Sequence, residues 1–360
     1  MIRPCFAMVV LAAAALGCDA RVTPTRPAVN AIATVAAAAS PSARRFLKGQ
    51  LHAHTNGSGD SDTAPGEAAA WYADHGFDFV VFTDHNRVTE VGAPGGMLVL
   101  RGVELTQNLR SCEPAPELGD ACLLHVNALF VTPSLGPLAF DPPSNLARVA
   151  LYGRAVDRAI ALGGIAQLNH PNFQHGADLE VLVVLAARGL TLVEIENKAV
   201  DSGNEGDARH ASTEALWDAA LLRGAHVLGT ATDDAHHYGD AAATRARGET
   251  AYTGDRGFVL VRAEKTEAAI RAAIVVGDFY GSTGVELDRL DLSPEGVAVD
   301  VRASDAPATI EVIADGKVVA TERGASLRFD PRRAPATYLR VRVIDAMGRK
   351  AFSQPLWLGP

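Results

Sequence analysis

The chain has 360 residues, 48% of them hydrophobic and 21% charged, which suits a large folded domain with a smaller companion and excludes an intrinsically disordered protein. Lys and Arg number 33 against 42 Asp and Glu, a formal charge of -9. No basic run stands out, which argues against a nucleic-acid backbone as partner. Arg3 precedes an apolar stretch from Phe6 to Leu16 that is too short for a permanent membrane span, so residues 1–17 read as a secretory signal.

Residues 18–45 are rich in Ala, Pro, Ser and Thr without an apolar period and read as a tether. From residue 46 to 284 short apolar runs alternate with helix-like segments. The runs are Phe79 to Phe82, Met97 to Leu100, Asn127 to Val131, Gly164 to Leu168, Leu190 to Ile195 and His226 to Gly229. Helices are expected from Pro65 to Gly76, Asn145 to Gly163, Ser212 to Gly224 and Thr266 to Gly277, each closed by a glycine. This alternation predicts parallel strands with crossover helices, either a (β/α) barrel or an open doubly wound sheet. From residue 285 to 360 apolar and polar residues alternate at period two, as in Val297-Val299-Val301 and Leu339-Val341-Val343, with a hairpin turn at Asp315-Gly316. That tail predicts a small antiparallel sandwich, and Trp357 and Leu358 predict that it packs on the helices of the larger domain.

Cys5 falls in the signal, and Cys112 and Cys122 flank a turn-rich segment. In an oxidising compartment these two are expected to pair, two unrelated thiols being the alternative. Leu16-Gly17-Cys18 resembles a bacterial lipoprotein processing site, although Ala15 stands where Leu is usual. Lipidation of Cys18 and attachment to the cell envelope are the expectation. Plain secretion and an uncleaved anchor stay open.

Nine possible metal ligands sit at the ends of separate apolar runs. LHAHTNGSGDSD carries His52, His54 and either Asp60 or Asp62; VVFTDHN ends on His85; LVLRGVELT ends on Glu104. LLHVNALFV begins near His125, GIAQLNHPN ends on His170, and VLGTATDDAHH ends on Asp234 and His236. One polar strand end is a common cap, whereas repetition at the same end of successive strands lets the ligands converge. Imidazole and carboxylate ligands without thiolates suit Zn, Mn or Fe, and such ions lower the pKa of a water that then acts as nucleophile. No serine elbow, Walker loop or dinucleotide fingerprint competes.

The histidine pair, the TDH motif, a Glu after Gly-Val, two isolated strand-end histidines and a final D-x-H resemble, in this order, the polymerase and histidinol phosphatase (PHP) superfamily over about residues 46–284. SGDS, HVNALF, NHPN and DDAH are similar to its extracytoplasmic branch of carbaryl hydrolase-type proteins. The resemblance implies an α/β fold, a distorted (β/α)7 PHP-type barrel capped by a C-terminal all-β immunoglobulin-like sandwich. It also implies two or three divalent transition-metal ions. His52, His54, Glu104 and Asp234 would hold the first, Glu104 would bridge to a second on His125 and His170, and Asp60, His85 and His236 would hold a third. Asp233, Glu194, Glu196 and His237 are left as orienting or substrate-facing groups, with His237 or Asp233 as general acid. Glu104, Asp234 and His237 are the expected catalytic residues.

The expected activity is phosphoester hydrolysis by a metal-bridging hydroxide, with carbamate or carboxylic ester hydrolysis as the alternative. An envelope binding or structural protein with a non-catalytic metal site is the reading from another class. Arg87, Arg110, Lys198, Arg209 and Arg256 are candidates to clamp a phosphate, and residues 238–257 a candidate lid. The expected partner is a small ester substrate.

Overall fold

Strand β1 (Phe46–Gln50) pairs in parallel with β2 (Phe79–Phe82), whose four side chains are all buried. Gly49 makes that approach possible, because a Cβ there would lie 1.9 Å from the Phe79 ring. The computed structural model describes residues 45–133, 138–302 and 306–359. The signal, Cys18 and all but the last residue of the expected tether lie outside the described residues. Among the described residues no helix is long and apolar enough to cross a membrane.

Helix α1 (Pro65–Asp74) links β1 to β2, which pairs in parallel with β3 (Leu98–Leu109). The chain then departs from the expected alternation. β3 turns back into β4 (Cys122–Leu129), and β4 pairs with β5 (Ile165–Leu168), both joints being antiparallel. A parallel return needs a crossover of a dozen or more residues, usually a helix, and the Pro- and Gly-containing segment between β3 and β4 closes instead as a loop under the Cys112–Cys122 disulfide. After helix α2 (Arg148–Ala161) the parallel pattern resumes. β5, β6 (Leu192–Asn197) and β7 (Leu228–Thr232) are linked through α3 (Leu179–Arg188) and α4 (Thr213–Leu222). Asp178 caps α3 and Ser212 caps α4, each accepting a backbone N–H of the first turn (2.9 and 3.2 Å).

Short helix α5 (Ala241–Ala246) lies within the expected lid. Strands β8 (Phe258–Arg262) and β9 (Phe279–Ser282) flank α6 (Glu267–Val276), which Gly277 closes at φ 80°. β8 pairs antiparallel with the other edge of β1. Beyond β1 and β7 the chain ends meet, with Asp234 N donating to His52 O (3.0 Å) and His54 N to Ala235 O (2.9 Å). The sheet thereby brings its first and seventh strands together at the end where the candidate ligands lie.

The tail forms β10 (Leu287–Ser293), β11 (Gly296–Val301), β12 (Ala308–Ala314), β13 (Lys317–Gly324), β14 (Ser326–Phe329), β15 (Tyr338–Ile344), β16 (Lys350–Ser353) and β17 (Leu356–Trp357). β10, β11 and β14 make a separate three-stranded sheet, and the path β13-β12-β15-β16 continues into β9 and the main sheet. The molecule is thus mixed α/β with one large sheet and few helices.

The tail packs on α4, the contact expected from its apolar end. Tyr338 and Phe352 share a buried cluster with Trp217 and Leu221, and Trp357 packs against it. Arg340, almost wholly buried, donates through Nε and Nη2 to both oxygens of Asp218 (2.8 and 2.6 Å), and Tyr338 Oη donates to Asp218 Oδ1 (2.7 Å). A guanidinium matches a carboxylate in this two-pronged way with both geometry and charge satisfied.

Candidate metal centre

Each candidate ligand owes its position to a strand that ends, bends or pairs at the same rim. Leu51 and Ala53 are buried on one side of the chain leaving β1, so His52 and His54 project together on the other. His85 follows β2 and bridges to Glu104, which lies within the twelve-residue β3 and not at its end as the sequence suggested. His125 stands inside β4 opposite Thr106. His170 and Asp234 follow β5 and β7 at φ 25° and 52°, a left-handed backbone that costs non-glycine residues on the order of 1–3 kcal/mol and marks functional positions more often than structural ones.

Ser58 fixes the proton on His54. Its hydroxyl donates to Asp84 Oδ1 (2.8 Å) and accepts from the His85 N–H (3.0 Å) and from His54 Nδ1 (3.0 Å). His54 Nδ1 therefore carries hydrogen and Nε2 is a bare lone pair. His52 Nδ1 lies 2.7 Å from Glu194 Oε1, a contact that only an N–H makes, so Nε2 of the neutral ring is bare as well. These two Nε2 atoms are 3.2 Å apart. Asp234 Oδ1 is 3.2 and 3.3 Å from them, and the Glu104 oxygens are 3.4 and 3.5 Å away. Two imidazole lone pairs and two carboxylates thus converge on one point, an arrangement that repels itself unless a cation joins it.

Glu104 extends this pattern in two directions. Its Oε1 is 3.2 Å from His125 Nδ1 and 3.7 Å from His170 Nε2, and its Oε2 is 2.8 Å from His85 Nδ1. Asn108 Oδ1 accepts a hydrogen bond from His125 Nε2 (3.0 Å), which leaves Nδ1 of the neutral ring bare toward Glu104. Asp60 Oδ2 sits 2.8 Å from His85 Nε2 and 3.2 Å from His236 Nε2, and the His54 and His236 rings stack at 4.2 Å. Three overlapping donor groups result, each with its ligand atoms within 4.8 Å: His52, His54 and Glu104; Glu104, His125 and His170; His54, Asp60, His85 and His236. The donor chemistry fits two or three divalent ions of the Zn, Mn or Fe type.

Electrostatics agree with this geometry. Burial pushes Glu104 up, but His125, His85 and His52 together outweigh it and hold the carboxyl well below its usual range. Burial likewise lowers His52, and Asp234, Glu194 and Glu104 overcome it, so in the metal-free state a proton is drawn to the place where a cation belongs. Burial and the neighbouring His236 lower His54 to about 4, which keeps it neutral and ready as a ligand.

All nine expected ligands meet around Glu104, Asp234 and Asp60, and Asp62 is exposed beside a different cavity lined by Trp71. Glu194 orients His52 and also accepts from Thr232 Oγ1 (2.6 Å) and His170 N (2.7 Å). Asp233 does not face the site. Its carboxylate accepts from the backbone N–H groups of Asp255, Arg256 and Gly257 (2.9, 2.7 and 2.8 Å). Burial raises it to about 6 despite these hydrogen bonds. It anchors the far end of the 238–257 segment. Glu196 pairs with Lys350 of the tail (3.1 Å) and lies away from the ligands.

Several contributors escaped the sequence reading. Asn169 donates to Glu104 Oε1 (2.7 Å), Asn197 to Asp234 Oδ2 (3.1 Å), and Thr106 Oγ1 lies 2.6 Å from His85 Nδ1. Asp84 ties down the loop after His54 by accepting from Thr55 N (2.7 Å), Thr55 Oγ1 (2.6 Å), Ser58 Oγ (2.8 Å) and Thr89 Oγ1. The available signal was polar residues placed directly beside strand-end ligands, as in Asn169-His170 and Asp84-His85.

A cavity of about 290 Å³ opens over the ligands and is walled by Leu123, Phe173, Ala199, Tyr252 and His237. None of Arg87, Arg110, Lys198, Arg209 and Arg256 is among its lining residues. Lys198 instead approaches Glu196 (3.5 Å), Arg209 approaches Glu117 (3.7 Å), and Arg256 donates to the Lys198 carbonyl (3.3 Å). His237 Nδ1 accepts from Tyr252 N (3.2 Å), so the neutral ring carries its proton on Nε2. Tyr252 Oη donates to Asp201 (3.2 Å), and burial together with Asp201 raises it to about 12.

No family model and no curated protein matches the chain. Among solved structures, the chain is similar to a two-domain protein of Bacteroides vulgatus containing a predicted PHP-like metal-dependent phosphoesterase. The identity is 15%, the match covers 88% of each chain, and the TM-score is 0.44. A second similar structure is an amidohydrolase from Chromobacterium violaceum with bound sulfate and no metal, at 14% identity and TM-score 0.33, covering 53% of this chain and 88% of that one.

Proposed function

We propose that the chain is a metal-dependent hydrolase of ester bonds. The observation that carries this reading is the convergence of the His52 and His54 lone pairs with the Asp234 and Glu104 carboxylates on one point. When bound, divalent ions supply Lewis acidity and an activated water. The protein's own groups then divide the remaining work. Glu104 holds the donor groups on its two sides in register, Glu194 and Ser58 keep the His52 and His54 protons on Nδ1, and His237 presents an Nε2–H to a leaving group in the cavity. On this reading the curled sheet is the distorted seven-stranded barrel of the PHP resemblance, and the tail is its immunoglobulin-like cap.

The cavity walls favour a carboxylic ester or carbamate with an apolar or aromatic part. Leu123, Phe173 and Tyr252 offer apolar surface, and among the described residues no Lys or Arg lines the cavity to neutralise a phosphate dianion. Phosphoester hydrolysis is the second reading, favoured by the third donor group at Asp60, His85 and His236, which supplies another place for positive charge beside the substrate. Export and lipid attachment through Cys18 complete the proposal and place the enzyme in the cell envelope.

The test is the zinc- or manganese-loaded protein assayed in parallel on p-nitrophenyl acetate, a p-nitrophenyl carbamate and p-nitrophenyl phosphate. We expect turnover of the first two with kcat/KM above that of the phosphate. A higher kcat/KM for the phosphate selects the second reading, and turnover of none with ions bound favours a non-catalytic metal protein.

A further inference from the structure

A second donor cluster lies in loops outside the centre. His175, Asp207 and His210 place their ligand atoms within 4.8 Å of one another. His210 Nδ1 is 2.9 Å from Asp207 Oδ1, His175 Nε2 is 3.4 Å from Asp207 Oδ2, and Glu117 Oε2 approaches His210 Nε2 at 3.2 Å. The two imidazoles stack face to face with centroids 3.5 Å apart and planes 12° from parallel.

This cluster is built into the fold. Asp207 closes its own turn, accepting from Arg209 N (2.7 Å) and His210 N (2.9 Å) while its N–H donates to His210 O (2.9 Å). His175 and the preceding Gln174 adopt left-handed backbone at φ 53° and 49°. The buried Arg148 holds them by donating to His175 O (2.8 Å) and to Ala115 O (2.7 Å), tying the disulfide loop to the segment after β5. Yet His175 Nδ1 is buried without a hydrogen-bond partner.

We propose that His175, Asp207 and His210 bind one divalent transition-metal ion separate from the catalytic ligands, with Glu117 orienting His210 through its other ring nitrogen. Two imidazoles and a carboxylate suit zinc, manganese or iron. The four residues come from three segments: the Cys112–Cys122 loop, the chain after β5 and the chain between β6 and α4. Phe173 and Ser202 of the last two segments line the catalytic cavity. The ion therefore ties together the loops that wall the cavity without touching substrate.

The test uses the full chain with Zn(II) as the only added metal and counts ions per chain by native mass spectrometry. The wild type is compared with the His175→Ala/His210→Ala double variant and with His210→Ala alone. We expect one zinc fewer per chain in each variant and a smaller rise in Tm on zinc addition. Equal zinc counts in wild type and variants overturn the proposal. If the double variant fails to fold, the single variant reads the same count at a partly exposed position. Failure of the hydrolase assignment is a separate result, because activity can be absent while the difference of one zinc persists.

Discussion

The ligand centre and the junction between α4 and the tail both bury charge, but only at the junction does the chain itself supply the opposite charge. There the Arg340 guanidinium meets Asp218 with donors opposite acceptors. At the centre His52 Nε2 and His54 Nε2 stand 3.2 Å apart beside two carboxylates, and a proton on His52 occupies the place of a cation. A buried charge whose partners are all supplied by the chain serves the fold. A buried set of acceptors lacking its cation serves a ligand, and the difference separates structure from function more sharply than burial alone.

Substitutions should divide along this line. Glu104→Gln removes the charge shared by the donor groups and is expected to lower kcat by about 1,000-fold or more with a nearly unchanged melting curve, since the amide keeps its shape. Activity within tenfold of wild type would remove Glu104 from the centre of the account. Arg340→Ala should do the opposite. It leaves Asp218 buried without its cation, Glu214 keeping Arg342, and costs about 3–5 kcal/mol in chemical denaturation, while ion content per folded chain stays constant. Loss of ions from the folded variant would show that the two regions are not independent.

His237→Gln is expected to reduce kcat by about 100-fold with little change in KM or metal content, and least for substrates whose leaving group needs no proton. An equal loss across leaving groups would assign His237 to positioning instead. The smallest effect is in pH. Burial lowers His85, but Glu104 and Asp60 overcome it and raise the ring to about 10, so an ion must displace that proton. Affinity should therefore rise with pH by up to about tenfold per unit for each proton released, measured between pH 6 and 8. In the metal-free chain the same shift stabilises the fold fully below the ordinary value of 6.5 and is lost as pH rises through about 10. A flat affinity profile would mean that His85 is not displaced.

The ligands were legible because chain geometry alone places them. Two residues apart on an extended chain means one face, which brings His52 and His54 together, and a ligand after a buried strand must lie at the sheet's rim. The helix limits at Gly163, Gly224 and Gly277 were legible for the same local reason. The antiparallel β3–β4 hairpin was not, since apolar runs carry no direction. Asp233 and Asp234 look alike in sequence and diverge only when β7 fixes which side faces the ligands. Asn169, Asn197 and Ser58 are ordinary polar residues until the fold sets them 2.7, 3.1 and 3.0 Å from a ligand atom. His175, Asp207 and His210 sit in segments without period, so nothing along the chain announces that they meet.

Anomalous diffraction at the zinc edge from crystals of the zinc-loaded chain would locate the ions among these ligands. A peak is expected within about 2.0–2.2 Å of both His52 Nε2 and His54 Nε2 and of an oxygen from Asp234 or Glu104, with at least one more peak on the far side of Glu104. Zinc found elsewhere in such crystals, with the two Nε2 atoms still facing each other and no peak between them, would contradict this placement.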